Sequence, residues 1–236
     1  MFSILLIMLA QTPVEQFNQG NALYNENNFQ DAIAMYETAE TALQNPALLF
    51  NLGNAYFKYG RMGKAILNYR RALFFAPRDQ DIKNNLQFVR TYRVDKVRVQ
   101  ENPFSIMLRR LFRIISMIEA QIIATLLFLI AMGFLSSFII LRRPWLGYCC
   151  MGISIVFLFF GLTWLVWSNT LHTRNAVIII PEVNALSGPG DDYKQILLLH
   201  DGAEVRIRET RGDYALIQLP GGLGGWVPIT SYEEVF

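Results

Sequence analysis

Apolar positions along this chain follow three rhythms. Between residues 13 and 93 they recur every three or four positions, as on one face of a helix. From Ala120 to Leu141 the chain carries no charge over 22 positions, and from Leu146 to Leu171 none over 26. At about 1.5 Å per residue, 22 residues make roughly 33 Å of helix, enough to cross about 30 Å of hydrocarbon. From residue 175 onward the pattern shortens to β-rich runs: "NAVIII", "QILLL", "AEVRIRE", "YALIQL" and "GGWVPI". Pro189-Gly190, Asp201-Gly202, Arg211-Gly212-Asp213 and Gly221-Gly222 punctuate them, a spacing that predicts five short strands in a small barrel over 175–236. The expected class is therefore a multi-domain membrane protein, α then β.

The two uncharged runs predict transmembrane helices over 118–141 and 145–171, broken by Arg142-Arg143-Pro144. Trp145, Tyr148, Trp164 and Trp167 lie toward the ends of the second run, where interfacial aromatics belong. So short a connection forces an antiparallel hairpin, which puts the segments before and after it in one compartment. Ahead of the hairpin, residues 102–117 read as an amphipathic helix, with Arg109, Arg113 and Ser116 on one face and Ile106, Leu111, Ile114, Ile115 and Ile118 around the rest. Such a helix suits the headgroup layer, or serves as a lipid-independent linker.

The helical part, 13–97, contains an internal match. "GNALYNENNFQDAIAMYETA" (20–39) overlies "GNAYFKYGRMGKAILNYRRA" (53–72) at a constant offset of 33, pairing Gly20 with Gly53, Asn21 with Asn54, Ala32 with Ala65, Tyr36 with Tyr69 and Ala39 with Ala72. Copies over 13–45 and 46–79 are followed by an end helix over 80–93, whose Ile82, Leu86 and Val89 form an apolar stripe. A repeat near 34 residues with small residues at these places resembles the tetratricopeptide repeat. Leu49, Leu52, Gly53, Tyr56, Gly60, Ala65, Tyr69, Ala72 and Pro77 fall on that pattern, whereas the first copy departs from it at Gln16 and Gln19. Two copies are few, so the pair is expected to need outside support.

Composition sharpens the picture where it is uneven. Apolar residues make up 53% and charged ones 17%. Residues 11–97 carry ten Lys/Arg against eight Asp/Glu, 98–174 seven against two, and 175–236 four against nine. A basic belt around apolar runs is what anionic headgroups favour, and no basic run points to nucleic acid. Cys149 and Cys150 are adjacent within an apolar run and read as small packing residues. No catalytic constellation or cofactor motif is found: the histidines, His172 and His200, stand far apart, and "SGPGDD" and "PGGLGG" read as turns of the β tail. The pairs Asp191-Asp192 and Glu233-Glu234 read as solvated loop charges.

"MFSILLIMLAQ" resembles the apolar core and cleavage end of a secretory signal over residues 1–10, without a basic start; a buried helix turn is the other reading. The tail, through "VIIIPEVNALSGPG", "LLLHDGAEVRI", "YALIQL" and "GGWV", resembles bacterial SH3-like domains. Repeat pair, hairpin and SH3-like tail in this order resemble the E component of the Bat (Bacteroides aerotolerance operon) proteins. That resemblance implies a non-catalytic envelope scaffold working beside membrane proteins with von Willebrand A domains and a MoxR-type ATPase.

In tetratricopeptide repeats the first helix of each pair lines a concave face. The resemblance thus implies a peptide groove from Phe17, Asn21, Tyr24 and Asn25, then Phe50, Asn54, Phe57 and Lys58, and Asn84 and Phe88 of the end helix. Phe50 and Phe57 equally fit core packing. In the tail, Tyr193, Tyr214 and Trp226 form a candidate aromatic shelf for a protein or for peptidoglycan, although Trp226 would also serve to fill a small barrel. For sidedness, Arg142 and Arg143 oppose Arg109, Arg110, Arg113 and Arg174. The signal-like start decides for two inner-membrane spans with both terminal domains in the periplasm.

Overall fold

The computed structural model describes residues 12–43, 45–95 and 114–236, with Phe104, Met107, Leu111 and Phe112 between them. The signal-like segment and most of the helix expected over 102–117 lie outside the described residues. The chain divides into two compact units, the part up to Val99 with Arg174–Phe236, and Gln100–Thr173.

Among the described residues, the first unit has five helices: α1 (Pro13–Asn25), α2 (Phe29–Glu40), α3 (Pro46–Lys58), α4 (Met62–Phe75) and α5 (Gln80–Thr91). Local chemistry fixes the starts of α1, α3 and α5. Thr12 and Glu15 form a reciprocal capping box ahead of α1, and Asn45 caps α3 by accepting from the Ala47 N–H at 2.8 Å. Pro13 and Pro46 occupy first-turn positions, where a missing N–H costs nothing, so Pro46 opens a helix rather than closing one. Asp79 accepts from Asp81 and Ile82 at the start of α5. The turns inside the two helix pairs are equivalent as well: Asn27 (φ 62°) and Gly60 (φ 84°), 33 residues apart, both take the left-handed conformation.

The internal match reappears as one contact made twice. Gly20 lies under the ring of Tyr36 and Gly53 under that of Tyr69, so close that a Cβ at either glycine would stand 2.6–2.7 Å from a ring carbon. Both tyrosines are buried, and with Leu49, Leu52, Ile66, Ile82, Leu86 and Val89 they form one continuous core.

The chain re-enters this unit as an antiparallel sheet: β1 (Asn175–Ile178), β2 (Glu182–Leu186), β3 (Gln195–His200), β4 (Glu204–Arg211), β5 (Tyr214–Gln218), β6 (Gly224–Pro228) and β7 (Tyr232–Glu234), in the order β3-β2-β6-β5-β4-β1-β7. The five expected strands are present, with β2 and β7 in addition. Burial alternates along β5, placing Ala215 and Ile217 inside with Val205, Ile207 and Val227.

Helices and sheet share one interior. Val177 and Val235 belong to the helical core. Gly63 of α4 approaches the β3–β4 turn so closely that a Cβ would stand 2.2 Å from both the Ile178 carbonyl and Asp201 Oδ1, and its own N–H donates to that carboxylate at 3.0 Å. Glu233 and Glu234, expected as solvated loop charges, lie instead in β7. Glu233 accepts from Lys64 and Arg71, and Glu234 pairs with Arg174 at 2.6 Å.

The second unit holds α6 (Met117–Leu141) and α7 (Pro144–His172), packed side by side. Ser116 and Glu119 cap α6 reciprocally, and Arg142 turns the chain in the left-handed conformation (φ 50°). The Trp167 indole N–H donates to the Ile115 carbonyl at 3.0 Å. Both helices are long and apolar enough to cross a membrane, and they turn large apolar side chains outward, Ile140 being 77% exposed. Such a surface suits lipid and not water.

Candidate functional site: an asparagine-lined cleft

Asn21, Tyr24 and Asn25 of α1, Tyr36 of α2, and Asn51 and Asn54 of α3 line a half-open cleft of about 280 Å³. Two repeated triads build it. Asn21 Oδ1 accepts from the Tyr36 hydroxyl and from Asn51 Nδ2, both at 2.8 Å. Asn54 Oδ1 accepts from the Tyr69 hydroxyl at 2.6 Å and from Asn85 Nδ2 at 2.9 Å. Each oxygen therefore takes two donors, which fixes the orientation of the amide. The Nδ2 groups of Asn21 and Asn54 donate to no partner among the described residues, and they are left as donors for a guest.

No side chain lining the cleft is a carboxylate, ammonium or guanidinium. Burial, reinforced by neighbouring Tyr24, pushes the Tyr36 phenol up to about 12, and burial also raises Tyr24. Recognition here must rest on hydrogen bonds and apolar area, which suits an extended backbone.

The expected groove residues divide. Asn21, Tyr24, Asn25 and Asn54 line the cleft. Phe17 and Phe50 stand behind it, each 5.9 Å from the ring of Tyr36 or Tyr69. Phe57 packs at 5.7 Å against Phe88 and Tyr92, away from the asparagines. Lys58 is exposed in the last turn of α3. Asn84 accepts from Gln80 on the exposed side of α5, and its neighbour Asn85 makes the inward bond. The offset explains this slip: α1 and α3 start 33 residues apart at Pro13 and Pro46, but α5 starts at Gln80, 34 after Pro46. Asn51, Tyr36 and Asn85 are the residues that sequence reasoning missed. The offset of 34 was the available signal for Asn85.

In the sheet, Trp226 is buried opposite Leu186 and Leu216, while adjacent Val227 joins the sheet core. Strand alternation puts Trp226 on the outer face, where the Arg211 guanidinium covers its ring at 5.4 Å. Tyr214 shares that face by register, and its hydroxyl donates to Asp191 in the turn that carries half-exposed Tyr193.

A second polar constellation joins helices to sheet. Glu204 receives Arg90 through two bonds, at 2.8 and 2.7 Å, and Arg93 at 2.8 Å, with Arg70 at 3.3 Å. Burial pushes the Glu204 carboxyl up, but the arginines outweigh it and the net shift is downward. Asp95 accepts from the His200 backbone N–H at 2.7 Å and lies 3.1 Å from its Nδ1.

Comparison with protein-family models finds no match. Comparison with curated proteins finds none either.

Proposed function

We propose that this chain is a non-catalytic scaffold held in a bacterial inner membrane by α6 and α7. On this reading α1–α5 are two tetratricopeptide repeats with an end helix, and β1–β7 form an SH3-like barrel. The observation that carries the reading is the cleft. Two asparagine amides with committed oxygens and free N–H groups, set between tyrosine rings, match the alternating acceptors of an extended peptide. The partner is a segment of another membrane protein. Similarity in domain order to the Bat E proteins points to partners with von Willebrand A domains and, through them, a MoxR-type ATPase. The signal-like start favours the periplasmic side.

The test uses Asn21→Asp with Asn54→Asp. Aspartate keeps the oxygen that holds the tyrosine and the second asparagine, and removes the free donor. The double variant is expected to keep its melting temperature within a few degrees and lose von Willebrand A partners from co-purification at least tenfold. Unchanged co-purification contradicts the cleft as the docking site.

A second reading, a peptidoglycan-binding envelope sensor, draws support from the outer face of the sheet, where Tyr214 and Trp226 lie beside the turn bearing Tyr193. Its test is sedimentation of the whole detergent-solubilised chain with peptidoglycan, because the sheet shares its core with the helices. No enrichment over a control protein removes it.

A further inference from the structure

We propose that strand β4 is a docking face for anionic lipid headgroups. The argument begins with chain length. The apolar stretch of α7 extends to Ser168 and the helix to His172, and Thr173 alone precedes Arg174. Four helical residues and two extended ones reach about 13 Å, so Arg174 stays within roughly that distance of the hydrocarbon edge. The headgroup layer fills about 5–8 Å of it. What remains is no more than about one Debye length at physiological salt, roughly 8 Å.

Pairing then holds β4 at this place. The Arg174 carbonyl accepts from the Ile207 N–H at 2.8 Å, and Asn175 lies opposite Arg206. Arg206 and Arg208 are exposed. Arg208 donates twice to Gln218 Oε1, a neutral amide, so its charge is uncompensated. Arg206 makes no hydrogen bond or ion pair among the described residues. The carboxylates around them are already engaged: Glu209 by Arg211 at 2.5 Å, Glu234 by Arg174, and Glu204 by α4 and α5. Two exposed guanidinium groups with no carboxylate partner, Arg208 keeping N–H groups beyond those that Gln218 takes, are thus kept within reach of a phosphate-bearing surface. The tether favours lipid over a soluble acidic partner.

The proposal rests on α6 and α7 crossing the bilayer, so integration is measured first, by resistance to alkaline extraction. Failure to integrate overturns the span reading and this proposal with it. The integrated full chain, with Cys149→Ser and Cys150→Ser and a fluorophore on Asp213→Cys, is then placed in nanodiscs containing a headgroup-linked quencher. Quenching is expected to be stronger in discs with about a third phosphatidylglycerol than in zwitterionic ones. Arg206→Gln with Arg208→Gln, both at exposed positions, should remove that difference, lowering the ratio of docked to free states roughly 30-fold. Equal quenching in both lipids, or quenching that the double substitution leaves unchanged, overturns the proposal.

Discussion

Three glycines show how little room the helical part leaves. Gly20 and Gly53 each accept a tyrosine ring, and Gly63 accepts the backbone of the sheet. A ring can shift a few tenths of an ångström, but a carbonyl fixed in a ladder cannot. Alanine at Gly20 or Gly53 gains about 1 kcal/mol of helix propensity and loses about 1–3 to overpacking, for a net loss on the order of 1 kcal/mol. Gly63→Ala meets Ile178 O at 2.2 Å and should cost more than either. Thermal unfolding of the three variants checks the order, and a Gly63→Ala as mild as Gly20→Ala would contradict the close docking. At this scale the sequence was legible where residue identity repeats, as for Gly20 and Gly53. It misled where one added residue before α5 rotated Asn84 outward and Asn85 inward.

Among the elements, β4 ties the sheet to the helices. Its first residue, Glu204, is the carboxylate shared by Arg70 of α4, Arg90 of α5 and Arg93 just beyond α5. Removing one member of such a buried group leaves the others uncompensated, and Glu204→Gln is expected to cost about 2–3 kcal/mol at pH 7, at or below the usual range because the side chain is 14% exposed. The pH dependence follows from the direction of the shift. The folded carboxyl lies below its ordinary value, so its stabilisation is present above the usual carboxylate range near 4.3 and is lost as pH falls through the folded value. Asp201 runs the other way: burial raises it despite the Gly63 N–H, so it favours the fold at low pH and loses that contribution as pH rises. The melting difference between wild type and Glu204→Gln should therefore be constant from pH 7 to 5 and shrink below 4. A difference that grows on acidification would contradict the assignment. Five strands were legible from β-branched runs. β2 was hidden because Glu182 and Asn184 alternate with only Val183 and Ala185 inside, and β7 because three residues with two acids do not read as a strand until Lys64, Arg71 and Arg174 are seen to meet them.

At the scale of the molecule, uneven charge becomes an interface. The tail carries four basic and nine acidic residues, yet Glu204 and Glu233 face the helical part, where Arg70, Arg90 and Arg93 pair with the first and Lys64 and Arg71 with the second, and Asp201 accepts from the Gly63 N–H. This also answers how so short a run of helices holds together: Val177 and Val235 of the sheet segment join the helical core. Truncation after residue 173 should then reduce the helical circular-dichroism signal of α1–α5 and expose them to protease, whereas a self-sufficient helical domain would keep both. The layout of helices, apolar hairpin and sheet was legible from hydrophobic rhythm. The union of α1–α5 with the sheet was not, because it depends on residues more than 100 positions apart, such as Arg90 and Glu204. Helices α1–α5 and the sheet form one unit, and the proposal places that unit on the periplasmic side of a membrane. The most direct measurement is labelling of Asn25→Cys and of Leu223→Cys, two exposed sites, by a membrane-impermeant thiol reagent in intact spheroplasts, with Cys149 and Cys150 replaced by serine. Labelling of both is predicted; labelling of one without the other contradicts the single unit, and labelling of neither contradicts its side.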